Sequence, residues 1–195
     1  RSLLSVDDLI VGVVNALEEK SVLNNTWIFF TSDHGQNLGH YRLPSCKLNV
    51  YEHDVRVPLL VRGPGLPPGR VIDALSGNTD LAPTILELAG GPAAINPIMD
   101  GKSLVPLLLP GAAPAPQHQQ QEHWQRTEFL IEYNSLGAVE RGAPVDCGRG
   151  ETCYHLVDSP HSNEYRALRV IDKVAGRNLL FAEFTNLSDW NFSAT

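Results

Sequence analysis

The sequence predicts an α/β fold that ends in antiparallel strands, and three observations carry the prediction. A helical apolar pattern leads straight into a short, continuous apolar run from Trp27 to Thr31. A second such run, Val57 to Val61, is stopped by Gly63-Pro64-Gly65. Helix followed by a strand buried on both faces is the rhythm of a helix-covered sheet. Near the C-terminus, by contrast, "YRALRVID" and "NLLFAEFT" follow one another without a helix between them, so they are expected to pair antiparallel.

In chain order, the first helix rests on Val6, Leu9, Ile10, Val13, Val14 and Leu17, which recur at the spacings of one helical face. Ser5 with Asp8 reads as its start, a hydroxyl cap followed by an acid in the first turn. The pattern runs out near Lys20, and "LNNT" makes a turn. After the two apolar strands, Thr79 or Asp80 caps a helix over "LAPTILELAG". Pro83 is tolerated in its first turn, and Gly90-Gly91 closes it. "EFLIEYN" is a further strand, and "KVAGRN" is the connection of the final hairpin.

At 195 residues the chain can bury one sizeable core. It is 43% hydrophobic and 19% charged, with a net charge of -7, and clustered Lys and Arg, the footprint of a nucleic-acid binder, is absent. No apolar run approaches the roughly 20 residues of a membrane span. A helical pattern begins within a few residues of Arg1 with no leader before it, so the chain reads as a piece of something longer. From Pro110 to about Arg126 the composition turns to Ala, Pro and Gln, as in a surface insertion or linker.

Cys147 and Cys153, in "CGRGETC", can close a small loop if thiols are oxidised. Sequons at Asn24, Asn186 and Asn191 fit the same secretory compartment, secreted, extracellular or lysosomal. The plainer alternative is a cytosolic chain with three reduced cysteines.

Ligand sites in open α/β sheets collect outside the carboxyl ends of strands, and there the first apolar strand ends on Asp33 and His34. Gly35 frees the backbone to turn. The pair reads either as a metal or phosphate-type site or as a turn-forming Asp beside a surface His. Lys47 lies in the loop that must return to the same sheet, where an ammonium can neutralise an anionic ligand. Arg56 and Arg62 are milder candidates for that role, with surface ion pairs as the alternative.

The blocks "FFTSDHG", "RLP" with Lys47 after it, "YEHDVRVPLLVRGPG", "NTDLAPTILELAG" and "MDGKSLVPLL" stand in the order found in sulfatases of the alkaline-phosphatase superfamily. From Leu4 to about Leu108 the chain resembles the second half of a sulfatase catalytic domain. It is most similar to the N-acetylglucosamine-6-sulfatase and arylsulfatase-like branch. The resemblance implies a partial alkaline-phosphatase-like sandwich, its mostly parallel central sheet flanked by helices. Residues 1–109 then belong to the catalytic domain and 110–126 to the insertion. Residues 127–195 resemble the start of the small antiparallel C-terminal sheet.

The same resemblance implies the roles. Asp33 and His34 match the second pair of ligands to one divalent cation, usually calcium, although many relatives carry Asn in place of His34. An imidazole suits zinc better than calcium; the family pattern sets calcium ahead. Lys47 matches the lysine that contacts the sulfate, and His40 lies in a loop along the substrate cleft with no role carried over. The implied substrates are sulfated glycans or aryl sulfate esters. Sulfatases attack with a formylglycine made from Cys in a Cys-x-Pro-x-Arg motif. Cys46, Cys147 and Cys153 all lack that context, and the first acidic metal pair of the family is absent too, Asp7-Asp8 being a poor substitute on the opening turn of a helix. The chain alone is therefore expected to be inactive. Two other readings stay open: a phosphodiesterase of the same superfamily, and a non-catalytic sulfatase-like glycan-binding module.

Overall fold

The computed structural model describes residues 2–42, 47, 49–109, 126–133, 145–146, 152–153 and 164–185. Helix α1 spans Ser2–Glu19. It starts ahead of Ser5, which therefore lies inside the helix rather than capping it. Its half-buried stripe, Val6, Val14 and Leu17 with Ile10 at the margin, is narrower than the sequence pattern suggests, since Leu9 and Val13 are exposed. A 3-10 turn at Leu23–Asn25 leads into strand β1, Ile28–Thr31. The short helix α2, Glu52–Val55, precedes strand β2, Leu59–Arg62.

β1 and β2 pair antiparallel, Ile28 opposite Arg62 and Thr31 opposite Leu59. β1 is half-buried along its length and β2 mostly exposed, and among the described residues the sheet has these two strands. The parallel neighbours expected for β1 are not among the described residues.

A 3-10 turn at Asn78–Asp80 feeds helix α3, Leu81–Gly90. Asp80 occupies the N-cap position without capping through its side chain, which is engaged elsewhere. Gly91 closes the helix at φ +78°, the left-handed conformation that favours glycine. Helix α4 covers Val105–Leu108. Thr84 ties α3 to the segment before α4: its Oγ donates to Asp80 O (2.5 Å) and accepts from Leu104 N (2.8 Å).

The C-terminal strands are β3 (Glu128–Tyr133), β4 (Val145–Asp146), β5 (Thr152–Cys153), β6 (Glu164–Asp172) and β7 (Arg177–Thr185). β3, β6 and β7 form one antiparallel sheet in that order, and β4 pairs with β5. The hairpin joining β6 to β7 falls where "KVAGRN" predicts it. Asp172 accepts from Ala175 N (2.8 Å) and Arg177 Nη2 (2.9 Å), bonds that hold its carboxyl below the usual range. The alternation in β3 turns Phe129, Ile131 and Tyr133 inward. There Ile131 and Tyr133 pack with Ala182 around Tyr165, Ala167 and Val50. Val50 comes from the segment just after Lys47, so the small sheet braces the first part of the chain. Arg169 Nε reaches Glu52 Oε1 (2.7 Å), and Lys173 Nζ reaches Asp73 Oδ2, on the same side.

Candidate active site

β1 delivers Ser32, Asp33 and His34 to one end of the two-stranded sheet, and Gly35 turns the chain. Gly35 N donates to Asp54 O (2.7 Å) and Gln36 N to His53 O (3.1 Å). A Cβ on Gly35 would lie 1.9 Å from the His53 carbonyl oxygen, so this close approach admits only glycine. Ser32 Oγ donates to His34 O (2.7 Å). From the turn before α3, Asn78 Nδ2 donates to the carbonyls of Ser32 (2.9 Å) and Asp33 (3.2 Å).

Within that frame, Asp33 Oδ1 accepts from His34 N (2.9 Å). This bond, with the neighbouring His34 ring, keeps the carboxyl below its ordinary range, and the exposed side chain stays ionised. His34 Nδ1 lies 2.7 Å from Gly35 O; donation there assigns the proton to Nδ1 and makes Nε2 an acceptor. Nε2 sits 3.1 Å from Asp33 Oδ2 and 2.8 Å from Lys47 Nζ. The ammonium of Lys47 donates to it. Two lone-pair atoms side by side thus face a cationic group, an edge that can share a metal ion once Lys47 turns from Nε2 to an anion.

Asp33, His34 and Lys47 are therefore brought together. His40 opens the 3-10 turn His40–Arg42 and stacks on His53 rather than on these three side chains. Arg56 does not join the group: it is 81% exposed, with Glu52 3.8 Å away one helical turn earlier, which is the surface ion-pair alternative. Arg62 donates to Leu23 O (2.8 Å) at the opposite end of β1. Asn24 is exposed. Asn186, Asn191, Cys46 and Cys147 lie outside the described residues, and with Cys147 goes the Cys147–Cys153 disulfide. Among the described residues no three His, Cys, Asp or Glu side chains converge as metal ligands.

The sequence reading missed what supports the site. Asp80 is fully buried and accepts from Gly77 N (2.9 Å), Lys102 N (2.7 Å) and both guanidinium nitrogens of Arg126 (2.5 and 2.9 Å). The hub fixes the turn that carries Asn78, and through it the Ser32–Asp33 carbonyls. Arg126 in turn lies over Phe129 (5.0 Å to the ring centroid), whose ring fills the space beside Gly77. The visible signal was an acid in "NTD" ahead of an apolar helix, which sequence reasoning spends on capping.

Residues 1–91 match the family model described as Sulfatase. That stretch carries a sulfatase-family domain. The chain is 38% identical over 189 residues to the N-acetylglucosamine-6-sulfatase of Homo sapiens, covering 94% of this chain and 32% of that protein. It is 36% identical over 190 residues to the extracellular sulfatase SULF-1 homolog of Drosophila melanogaster, covering 97% and 14%. Among solved structures, a phosphonate monoester hydrolase from Silicibacter pomeroyi superposes with a TM-score of 0.63 at 29% identity, over 92% of this chain and 30% of that one. A Bacteroides thetaiotaomicron protein, described with the metabolism of multiple glycosaminoglycans, gives 0.61 at 27%, over 92% and 35%. The α/β fold is that of these neighbours. This chain thus spans about a third of the length of the N-acetylglucosamine-6-sulfatases it matches.

Proposed function

We propose that this chain supplies part of the active site of a sulfuric ester hydrolase acting on sulfated sugars or aryl sulfates. The observation that carries the reading is the Lys47–His34–Asp33 contact at the end of β1. Lys47 binds the sulfate group and offsets charge that develops on its oxygens as the ester bond breaks. His34, its Nδ1 proton held by Gly35 O, keeps Nε2 as a donor atom. Asp33 stays ionised beside it, and Asn78 fixes the turn on which both ride. The nucleophile lies outside these 195 residues.

The Asp33 and His34 donor set fits one edge of a divalent-cation site, calcium by family resemblance, and a bound cation would supply Lewis-acid polarisation of the sulfate. Two ligands fall short of the roughly 6–8 oxygens calcium takes, so calorimetry on this chain should show affinity of about millimolar or weaker. Full turnover by a longer active protein containing this chain with zinc in place of calcium, and none with calcium, would overturn the assignment of the metal. The exposed Asn24 sequon and the extracellular relative support a secretory route with glycosylation at Asn24, testable by a mass shift on glycosidase treatment.

The decisive assay is turnover of a chromogenic aryl sulfate. The 195-residue chain alone should be inactive. A longer protein containing it should be active and lose about 10²–10³-fold in kcat on Lys47→Ala. Activity that survives Lys47→Ala would sink the reading. The likeness to a phosphonate monoester hydrolase favours a second reading, hydrolysis of phosphonate or phosphate esters, and an aryl phosphonate preferred over the aryl sulfate would establish it.

A further inference from the structure

The loop from Asn37 to Arg42 rises from the turn that carries Asp33 and His34. Asn37 is fully buried, and its Oδ1 accepts from Gly39 N (3.0 Å) and His40 N (2.9 Å), fastening the base of the loop. Above it four rings associate. His53 stacks on His40 (centroids 4.6 Å apart, planes at 25°) and on Tyr51 (5.6 Å, 17°). Tyr41 leans against Tyr51 (5.0 Å) and His53 (5.8 Å). Tyr41 itself remains 73% exposed, as does Leu38.

Tyr41 and Arg42 are held at φ +57° and +61°, a left-handed conformation that non-glycine residues adopt at a cost. An apolar ring is thereby presented to solvent against its local preference. The cluster is not remote from the anion-binding group: the carbonyl of His53, at the centre of the rings, receives the N–H of Gln36, two residues beyond His34.

We propose that Tyr41 is a platform for the sugar ring of a sulfate ester whose sulfate lies on Lys47, an inference that rests on the reading of Lys47 given above. The face of an aromatic ring carries partial negative charge and attracts the polarised C–H bonds on one face of a pyranose. The sugar hydroxyls stay free at the rim, where His40 offers its Nε2, its Nδ1 accepting from Leu38 N (3.4 Å). Lys47 then grips the charged group and Tyr41 selects what carries it.

The test is solution NMR on the 195-residue chain, with inorganic sulfate and N-acetylglucosamine 6-sulfate as probes. Sulfate alone should perturb the Lys47 and His34 signals. The sugar sulfate should also receive saturation on its ring protons from the aromatic side chains. Tyr41→Ala should weaken the sugar sulfate about three- to tenfold and abolish that transfer, with the sulfate affinity unchanged. Tyr41→Phe should behave as the unmodified chain, since the hydroxyl plays no part, whereas Lys47→Ala should weaken both probes. If sulfate binds and Tyr41→Ala leaves the sugar sulfate unaffected, or Tyr41→Phe is as damaging as Tyr41→Ala, the platform is wrong and Lys47 stands. If sulfate perturbs neither Lys47 nor His34, the Lys47 reading fails and the platform with it.

Discussion

Gly35 shows how one residue sets the geometry of the candidate site. Its missing side chain lets the turn after His34 approach the His53 carbonyl, so that Gly35 N and Gln36 N find backbone acceptors. A methyl group there must push the two segments apart. Gly35→Ala is expected to lower stability by about 2–4 kcal/mol, read as a lower denaturant midpoint, and to separate His34 from Lys47. A second residue-level expectation concerns Asp33. Its carboxyl is held below the ordinary value by the bond from His34 N, so its folded-state pKa is depressed. The interaction is complete above pH 3.8 and fades as pH falls through the folded value, and the Asp33 carboxyl carbon shift should titrate below that of a model Asp.

The turn Asn78–Asp80 and helix α3 act as one element, with Asp80 as their fastening. A buried carboxylate is tolerated because four hydrogen bonds, two from Arg126, replace its water. Removing one partner leaves the other charge buried and uncompensated. Asp80→Ala is expected to cost about 3–5 kcal/mol and to release Asn78 from the Ser32 and Asp33 carbonyls. Asn78→Ala should be milder, about 1 kcal/mol, and amide exchange at His34 and Gly35 should rise in both variants. Equal exchange in Asn78→Ala and the unmodified chain would contradict a positioning role for Asn78.

Across the molecule, the small C-terminal sheet reinforces the segment that carries Lys47. Val50 is buried against Tyr165 and Ala167, and Val50→Ala should cost about 2 kcal/mol. Tyr165 is 3% exposed, and burial together with the nearby charge of Asp54 pushes its phenol up to about 12. The folded state therefore keeps a proton that the unfolded chain loses near pH 10. Stability from this group is full below pH 10 and is lost as pH rises toward about 12. Thermal melts should fall more steeply over that window than in Tyr165→Phe.

Much of this architecture was legible in the residues. Helices α1 and α3, the two apolar strands, the C-terminal hairpin and the placing of Asp33 and His34 at a strand end all follow from periodicity and turn chemistry. Those are properties of neighbours along the chain. Lys47 was legible because the second strand had to return beside the first. Arg56, an equally plausible cation in the same stretch, proved to be solvated. The difference lies in which direction a half-turn of helix α2 points a side chain, and local pattern does not encode that.

Asp80 was read as a cap and Asn78 was not singled out because their partners, Arg126 and the Ser32 and Asp33 carbonyls, lie 45 or 46 residues away. The ring cluster around Tyr41 escaped notice as well, since His40 and Tyr41 come from the loop after β1 and Tyr51 and His53 from the start of helix α2, the two joined by backbone bonds from Gly35 and Gln36. Hydrophobic rhythm and motif order determined the elements and which polar residues stand at the end of β1. Packing alone settled which polar groups are buried, what satisfies them and which aromatic face is left open, because each depends on desolvation by residues distant in the chain.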